Sequence, residues 1–359
     1  MPQNLNDKEF GVFLPIANGG WIISKNTPTL DASYEQNRAA AIVADEIGLD
    51  FIMSMMKWRG FGGETDHWGT SLESVTMMAG IAEVTKNCKL IATVHTLLQN
   101  PAVTAKMIST LDQISNGRAG LNIVSGSYKG EFDQMGAWRD DLDHDGRYRF
   151  AEEWAHLVRA LWAEKSVSFD GEFFKFDDCV SNPKSVTKPR PYMICAGQSE
   201  RGLRFTVRNT DACFIGGVDV DDTRRASRLA RSIAQEYGTT TKTFCMCTVV
   251  HDETDAAAAK KVAFYREGLD AGAVQGMQRS YGMEADGRDS IMGQNAKNTF
   301  MTHMVHGTPE TCREGIKSLI IEGELDGVML IFPDYVEGLT VFGNEILPGL
   351  KTELRERAA

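Results

Sequence analysis

Short apolar runs alternate with longer segments of helical period along nearly the whole chain, and this alternation restricts the fold more than any single motif does. Runs of that kind have the length and character of buried strands, and a helical segment between two of them can carry the chain back to a parallel neighbour. The candidate strands are Gly11–Pro15, Phe51–Ser54, Lys89–His95, Ala119–Ser125, Tyr192–Ala196, Ala212–Gly216, Thr243–His251 and Gly327–Phe332. Helical spacing marks Ser33–Ile47, Leu72–Thr85, Ala102–Ile114, Arg147–Trp162, Glu200–Arg208, Thr223–Glu236, Glu253–Ala271 and Pro309–Ile321. The pattern predicts a (β/α)8 TIM barrel with insertions, formed as one elaborated domain over residues 1–359, with a doubly wound sheet as the alternative. Residues 166–180 read as a hairpin insertion. Residues 273–307, rich in Gly, Met, Asn and Gln, read as an irregular insertion long enough for an active-site lid.

The formal net charge of −11 repels phosphate backbones and anionic lipids, so neither nucleic acid nor a membrane is an expected partner. No apolar run approaches the length of a membrane span, and Met1–Glu9 is too polar for a signal peptide, so the expected location is the cytoplasm. The cysteines at 88, 179, 195, 213, 245, 247 and 312 lack a framework spacing and read as free thiols. Cys245 and Cys247 share one strand face as core residues. No phosphate loop, dinucleotide-binding glycine motif, zinc motif or serine-nucleophile elbow is present, and no metal site is expected.

In a barrel, chemistry gathers at the C-terminal ends of the strands. The polar residues there include Ser54, Met55, Met56, Lys57, Thr93, His95, Asn122, Ser125, Glu131, Gln198 and Ser199. Asn122 interrupts the apolar strand Leu121–Val124, and a buried amide needs a partner, protein or ligand. The loop Lys57-Trp58-Arg59-Gly60-Phe61-Gly62-Gly63 mixes cations, aromatics and glycines in a way that suits a planar, partly anionic ligand. Ser199 opens a helix, where its hydroxyl serves either as a cap or as part of an anion site; Arg147 and Tyr148 open another helix on the same rim.

Together these residues resemble the bacterial luciferase-like, FMN-dependent monooxygenases, and among them the pyrimidine oxygenase branch that opens the uracil ring. The likeness rests on Gly11-Val12-Phe13-Leu14-Pro15-Ile16 with Gly20-Trp21, the loop Lys57–Gly63, Leu72-Glu73-Ser74, the Asn122 segment through Gly136, and Ile194-Cys195-Ala196-Gly197-Gln198-Ser199. The resemblance implies FMN contacts at Met56, Lys57, Asn122, Glu131, Arg147, Tyr148 and Ser199. It also implies a catalytic pocket of Met53, Met55, Thr93 and Asn122, in which reduced flavin and O2 give a peroxide at flavin N5. Thr93 and Asn122 can donate hydrogen bonds to developing negative charge while the methionines exclude water. With no nicotinamide motif in the chain, the reduced FMN is expected from a separate NAD(P)H-dependent flavin reductase. By the same analogy a homo-oligomer is expected.

The branch places a tryptophan after the glycine matching Gly126, where this chain has Ser127, and Gly216-Gly217-Val218 departs from its pattern as well. The expected substrate is therefore an N-heterocycle, either a pyrimidine such as uracil or a larger ring such as riboflavin, as in the riboflavin lyases. Its pocket is expected to be lined by Ser127, Trp58 and Phe61. Two other functions are weighed beside this one. Lys57 and Arg59 could serve the more anionic cofactor of a deazaflavin-dependent hydride-transfer enzyme, and a non-catalytic flavin-binding protein needs only the cofactor contacts.

Overall fold

The computed structural model describes residues 8–126, 128–197, 199–281 and 291–357. Eight parallel strands close into a barrel: β1 Glu9–Phe13, β2 Phe51–Met53, β3 Lys89–His95, β4 Ala119–Val124, β5 Tyr192–Cys195, β6 Ala212–Phe214, β7 Lys242–His251 and β8 Gly327–Ile331. Each pairs with the next, and β8 returns to β1, so the barrel itself has no free edge. The doubly wound alternative is thereby set aside.

Between the strands run α1 Tyr34–Glu46, α2 Ser74–Val84, α3 Pro101–Ile114, α4 Lys129–Asp133, α5 His144–Ala163, α6 Glu200–Asn209, α7 Val220–Glu236, α8 Asp255–Glu267, α9 Ala271–Ser280, α10 Ile291–Ala296 and α11 Pro309–Glu322. After β8 come α12 Tyr335–Val341, one wide turn over Phe342–Ile346, and α13 Leu347–Glu356. Their starts follow local chemistry. Asn100 accepts from the Ala102 amide at 2.8 Å with Pro101 in the first turn, and Thr308 followed by Pro309 caps α11 in the same way.

A hairpin of Val167–Asp170 and Lys175–Cys179 decorates the connection before β5. The stretch 273–307 has more order than its composition promises, because most of α9, all of α10 and a strand, His303–Gly307, fall within it. That strand pairs in parallel with the far end of β7, from Cys247 to His251, where β7 extends past the barrel wall. The expected single helix Glu253–Ala271 is two, α8 and α9, since Asp270 accepts from the Ala273 amide and begins a new one. No helix among the described residues is long and apolar enough to cross a membrane.

Strand alternation and register set the interior. Gly11 pairs with Phe51, and any Cβ at Gly11 would lie 2.2 Å from the Phe51 ring, so glycine makes room for that ring inside the barrel. Phe51 packs edge-on against Phe244 at 5.4 Å, and Phe244 against Phe214 at 6.2 Å. One layer nearer the C-terminal ends lie Met53, Thr93, Asn122, Met246 and Met329, which line a cavity.

The closed end is fastened by Arg118. Its guanidinium donates to the carbonyls of Ser115 at 2.8 Å and of Cys88, Ala82 and Thr85 at 3.0 Å, and to the Thr85 hydroxyl at 3.0 Å. This links the end of α2 to the starts of β3 and β4. A lysine offers one compact ammonium in place of the planar fork, so Arg118→Lys is expected to cost roughly 2 to 4 kcal/mol. Urea denaturation measures the loss.

Candidate active site

Parallel pairing of β3 with β4 sets Thr93 beside Asn122, and the register turns that adjacency into a hydrogen bond. The Thr93 hydroxyl donates to the Ser54 carbonyl, so its oxygen is left to accept from Asn122 Nδ2 at 3.0 Å. Ser54 can only accept through that atom, and the orientation of the Asn122 amide follows. Asn122 Oδ1 is then buried without a partner. The Thr93 amide donates to Ser74 Oγ at 2.8 Å, and Ser74 and Ser54 share a hydroxyl contact of 2.6 Å, which fixes the network to α2. Thr93 therefore positions Asn122, with its own proton committed to Ser54.

These groups face a cavity of about 270 Å³ bordered by Met53, Met55, Met56, Met246 and Met329. Lys57 and Glu131 close one side as a buried ion pair of 3.1 Å, both side chains 3% exposed. The other Glu131 oxygen accepts from the Trp58 amide at 2.5 Å. Burial lowers the Lys57 pKa, and the Glu131 charge opposes that. The ammonium also sits 4.6 Å from the ring centres of both Phe61 and Tyr128, with Trp68 and Tyr281 within 6 Å of it. Rings continue along the wall through Trp68 to Trp21 at 5.1 Å and Phe13 at 4.5 Å.

The second group lies at the start of α6. Ser199 Oγ accepts from the Gly202 amide at 3.1 Å, and His144 Nε2 approaches that hydroxyl to 3.5 Å. Burial raises the Tyr148 pKa, while contacts with the Ser125 and Ser199 hydroxyls pull it back. A Cβ at Gly197 would lie 2.6 Å from the Gly202 carbonyl, so the loop hugs the helix start closely. Hydroxyls, a phenol, an imidazole and a helix N-terminus meet in one place, a set of donors suited to an anion.

The expected residues divide accordingly. Met53, Met55, Met56, Lys57, Thr93, Asn122 and Glu131 meet at the cavity, and Tyr148 joins Ser199 at the start of α6. Arg147 donates to the Leu142 carbonyl at 3.1 Å and lies over the Trp138 ring at 5.0 Å, while His144 and Tyr148 of the same helix reach Ser199. Trp58 and Phe61 do not border the enclosed cavity. Trp58 is 43% exposed and Phe61 packs on the Lys57 ammonium; both face an open outer cleft of about 850 Å³ that meets the cavity at Tyr128. Ser127 and Gln198 lie outside the described residues, as do positions 282–290 of the expected lid. Trp21, Trp68, Tyr128, Tyr281 and His144 are additions from the structure. Trp21 had a sequence signal in the Gly20-Trp21 pair, whereas Tyr281 had none.

The profile of the luciferase-like monooxygenases matches residues 8–323. The chain belongs to that family. Among its relatives, a pyrimidine monooxygenase RutA of Variovorax paradoxus is 37% identical over 352 residues, covering 96% of this chain and 95% of the relative. The protein of that name from Rhizobium rhizogenes is 38% identical over 353 residues, with 96% of each covered. A riboflavin lyase solved with modified FMN and riboflavin shares the fold, with a TM-score of 0.83 at 20% identity over 98% of this chain and 95% of that one. The expectation of an FMN-dependent monooxygenase on a (β/α)8 barrel, with O2 as cosubstrate, holds for this luciferase-like chain.

Two outcomes test this geometry. Removing the carboxylate strands a buried cation, so Glu131→Gln is expected to destabilise the protein by roughly 3 kcal/mol in chemical denaturation. The second concerns pH. Burial holds His95 down at about 3 and His67 at about 4, with the Lys57 charge adding to the first and Asp270 partly opposing the second. Both are neutral when folded, whereas the unfolded chain protonates them near the ordinary imidazole value. Stability is thus complete above that value and falls as pH drops below it, by up to about 1.4 kcal/mol per pH unit for each histidine. Unfolding free energies between about pH 7 and pH 5 should show this slope, and His67→Phe should reduce it.

Proposed function

We propose that this chain is the oxygenating component of a two-component system, receiving reduced FMN from a separate NAD(P)H-dependent flavin reductase and cleaving a carbon–heteroatom bond in an N-heterocycle. The substrate is a pyrimidine such as uracil or a larger ring such as riboflavin. The observation that carries this reading is Asn122, held by Thr93, with an unpartnered amide oxygen in a methionine-lined cavity. Names of relatives support the substrate class: the pyrimidine monooxygenases match nearly the full chain, and the riboflavin lyase shares its fold.

The residues present fit FMN. Asn122 Oδ1 needs an N–H donor, which a reduced isoalloxazine possesses, and the cluster of Ser199, Tyr148 and His144 at a helix N-terminus suits a phosphate. When bound, reduced FMN supplies the electrons that activate dioxygen for transfer of one oxygen atom to the substrate. The protein's own residues do the rest. Lys57, already matched by Glu131, sets positive potential beside the cavity without adding net charge to it. That pairing also leaves the extra negative charge of a deazaflavin without a free cation at this position, which favours FMN. Asn122 retains one amide N–H beyond the one it gives to Thr93, available for negative charge that develops on oxygen. Met53, Met55 and Met56 keep water from the reacting atoms.

The polypeptide is proposed to act as one domain, with the stretch around α9 and α10 as a cover over the mouth, and as a homo-oligomer. Supplied with reduced FMN and O2, the protein is expected to consume uracil, barbiturate or riboflavin with formation of product. Release of hydrogen peroxide alone across that panel contradicts the reading. Asn122→Ala should lower the fraction of reduced flavin coupled to product by about tenfold or more while the fold survives.

A further inference from the structure

Besides Asn122, the cavity holds two polar groups that the fold leaves without partners. Trp21, 7% exposed, has its indole Nε1 buried and unpaired, and His95, 5% exposed, has its imidazole Nδ1 buried and unpaired. Both residues line the same cavity. A buried polar atom destabilises the fold unless something bonds to it, so such atoms in one otherwise methionine-rich cavity describe the polar edge of a missing occupant.

Both sit on the β1–β3 side of the cavity, which they share with Met56 and Lys57. Trp21 follows β1 and His95 ends β3, so the two flank β2, which ends at Met53 and is followed by Met55. Glu131, Tyr148 and Ser199 come after β4 and β5, on the other side of Asn122. Neither side chain is free to turn elsewhere: Trp21 is wedged between Phe13 and Trp68, and His95 lies against Phe132 at 5.2 Å. The indole N–H can only donate, so it calls for a carbonyl oxygen or a bare ring nitrogen. The imidazole, kept neutral by burial and by the nearby Lys57 charge, has one donor and one acceptor nitrogen.

We propose that Trp21 and His95 form the subsite that reads the substrate, with the indole N–H donating to a ring carbonyl and the imidazole accepting from the neighbouring ring N–H. The substrate class is then a cyclic amide or imide, seated over Met53 and Met55. This rests on the functional reading above and adds to it the residues that select the ring. A site built to pair with an N–H rejects an analogue that lacks it, because the imidazole is then left buried and unbonded.

The test uses equilibrium binding rather than turnover. Isothermal titration of the FMN-loaded protein with uracil and riboflavin, and with their ring N-methylated counterparts, is expected to show binding of at least one parent ring. The methylated partner of that ring should bind about tenfold or more weakly. Trp21→Phe and His95→Phe should each weaken the parent by a similar factor with FMN affinity unchanged, and His95→Phe should also erase the discrimination against the methylated ring. The methylated probes need no substitution, so the wild-type comparison decides even where a variant fails to fold. Equal affinity for parent and methylated rings, wild-type affinity in both variants, or no binding of either parent to FMN-loaded protein overturns the proposal. Binding that shows the expected pattern without oxidation overturns the functional reading and leaves the subsite standing.

Discussion

The mouth of this barrel depends on a buried pair of opposite charges. Lys57 and Glu131 come from the loop after β2 and the short helix after β4, 74 residues apart, and each side chain is only 3% exposed beside the cavity. Taking two ions out of water costs several kcal/mol apiece, and one contact does not offset that. Here the pair is assisted: Glu131 also accepts from the Trp58 amide, and the Lys57 ammonium is faced by the rings of Phe61 and Tyr128. The Ser71 hydroxyl donates to the Lys57 carbonyl and Gln134 to that of Trp58, so the backbone beside the pair is held too. One arrangement satisfies all of these groups at once, and it is the arrangement that forms the cavity.

Other contacts serve that arrangement from a distance. Asp270 accepts from the Thr65 amide and hydroxyl at 2.7 and 2.8 Å while capping α9, which ties the loop after β2 to the insertion. That tie brings Tyr281, at the end of α9, over the Lys57 ammonium at 5.7 Å. At the closed end, Arg118 and Asp45 bind turns to one another, Asp45 by accepting from the amides of Lys86, Asn87 and Cys88. At the mouth the barrel leaves Trp21 Nε1, His95 Nδ1 and Asn122 Oδ1 without partners, where a ligand can complete them.

Much of this was legible in the sequence, and for a physical reason. Barrel strands covered by helices must be continuously apolar, so β1 to β8 stand out, and Asn122 stands out because it breaks one of them. The strand His303–Gly307 did not, since it lies outside the barrel on the end of β7, is half-exposed, and needs no apolar run. Lys57 and Glu131 were expected separately, each as a flavin contact, but their pairing is a matter of register and loop path. The aromatic wall was hidden for the same reason: Trp21, Trp68, Tyr128 and Tyr281 are scattered along the chain with no common spacing. Arg147 was the natural choice for an anion by charge; its guanidinium lies over Trp138, and it is His144 and Tyr148 of that helix that meet Ser199.

The central claim is that this cavity lets a reduced flavin pass one atom of dioxygen to a heterocycle, with the protein binding, orienting and shielding. The most direct measurement is mass spectrometry of the product formed with reduced FMN under isotopically heavy dioxygen in ordinary water. The account predicts one heavy oxygen atom in each product molecule. A product whose new oxygen comes only from water, or turnover that proceeds without dioxygen, would contradict it.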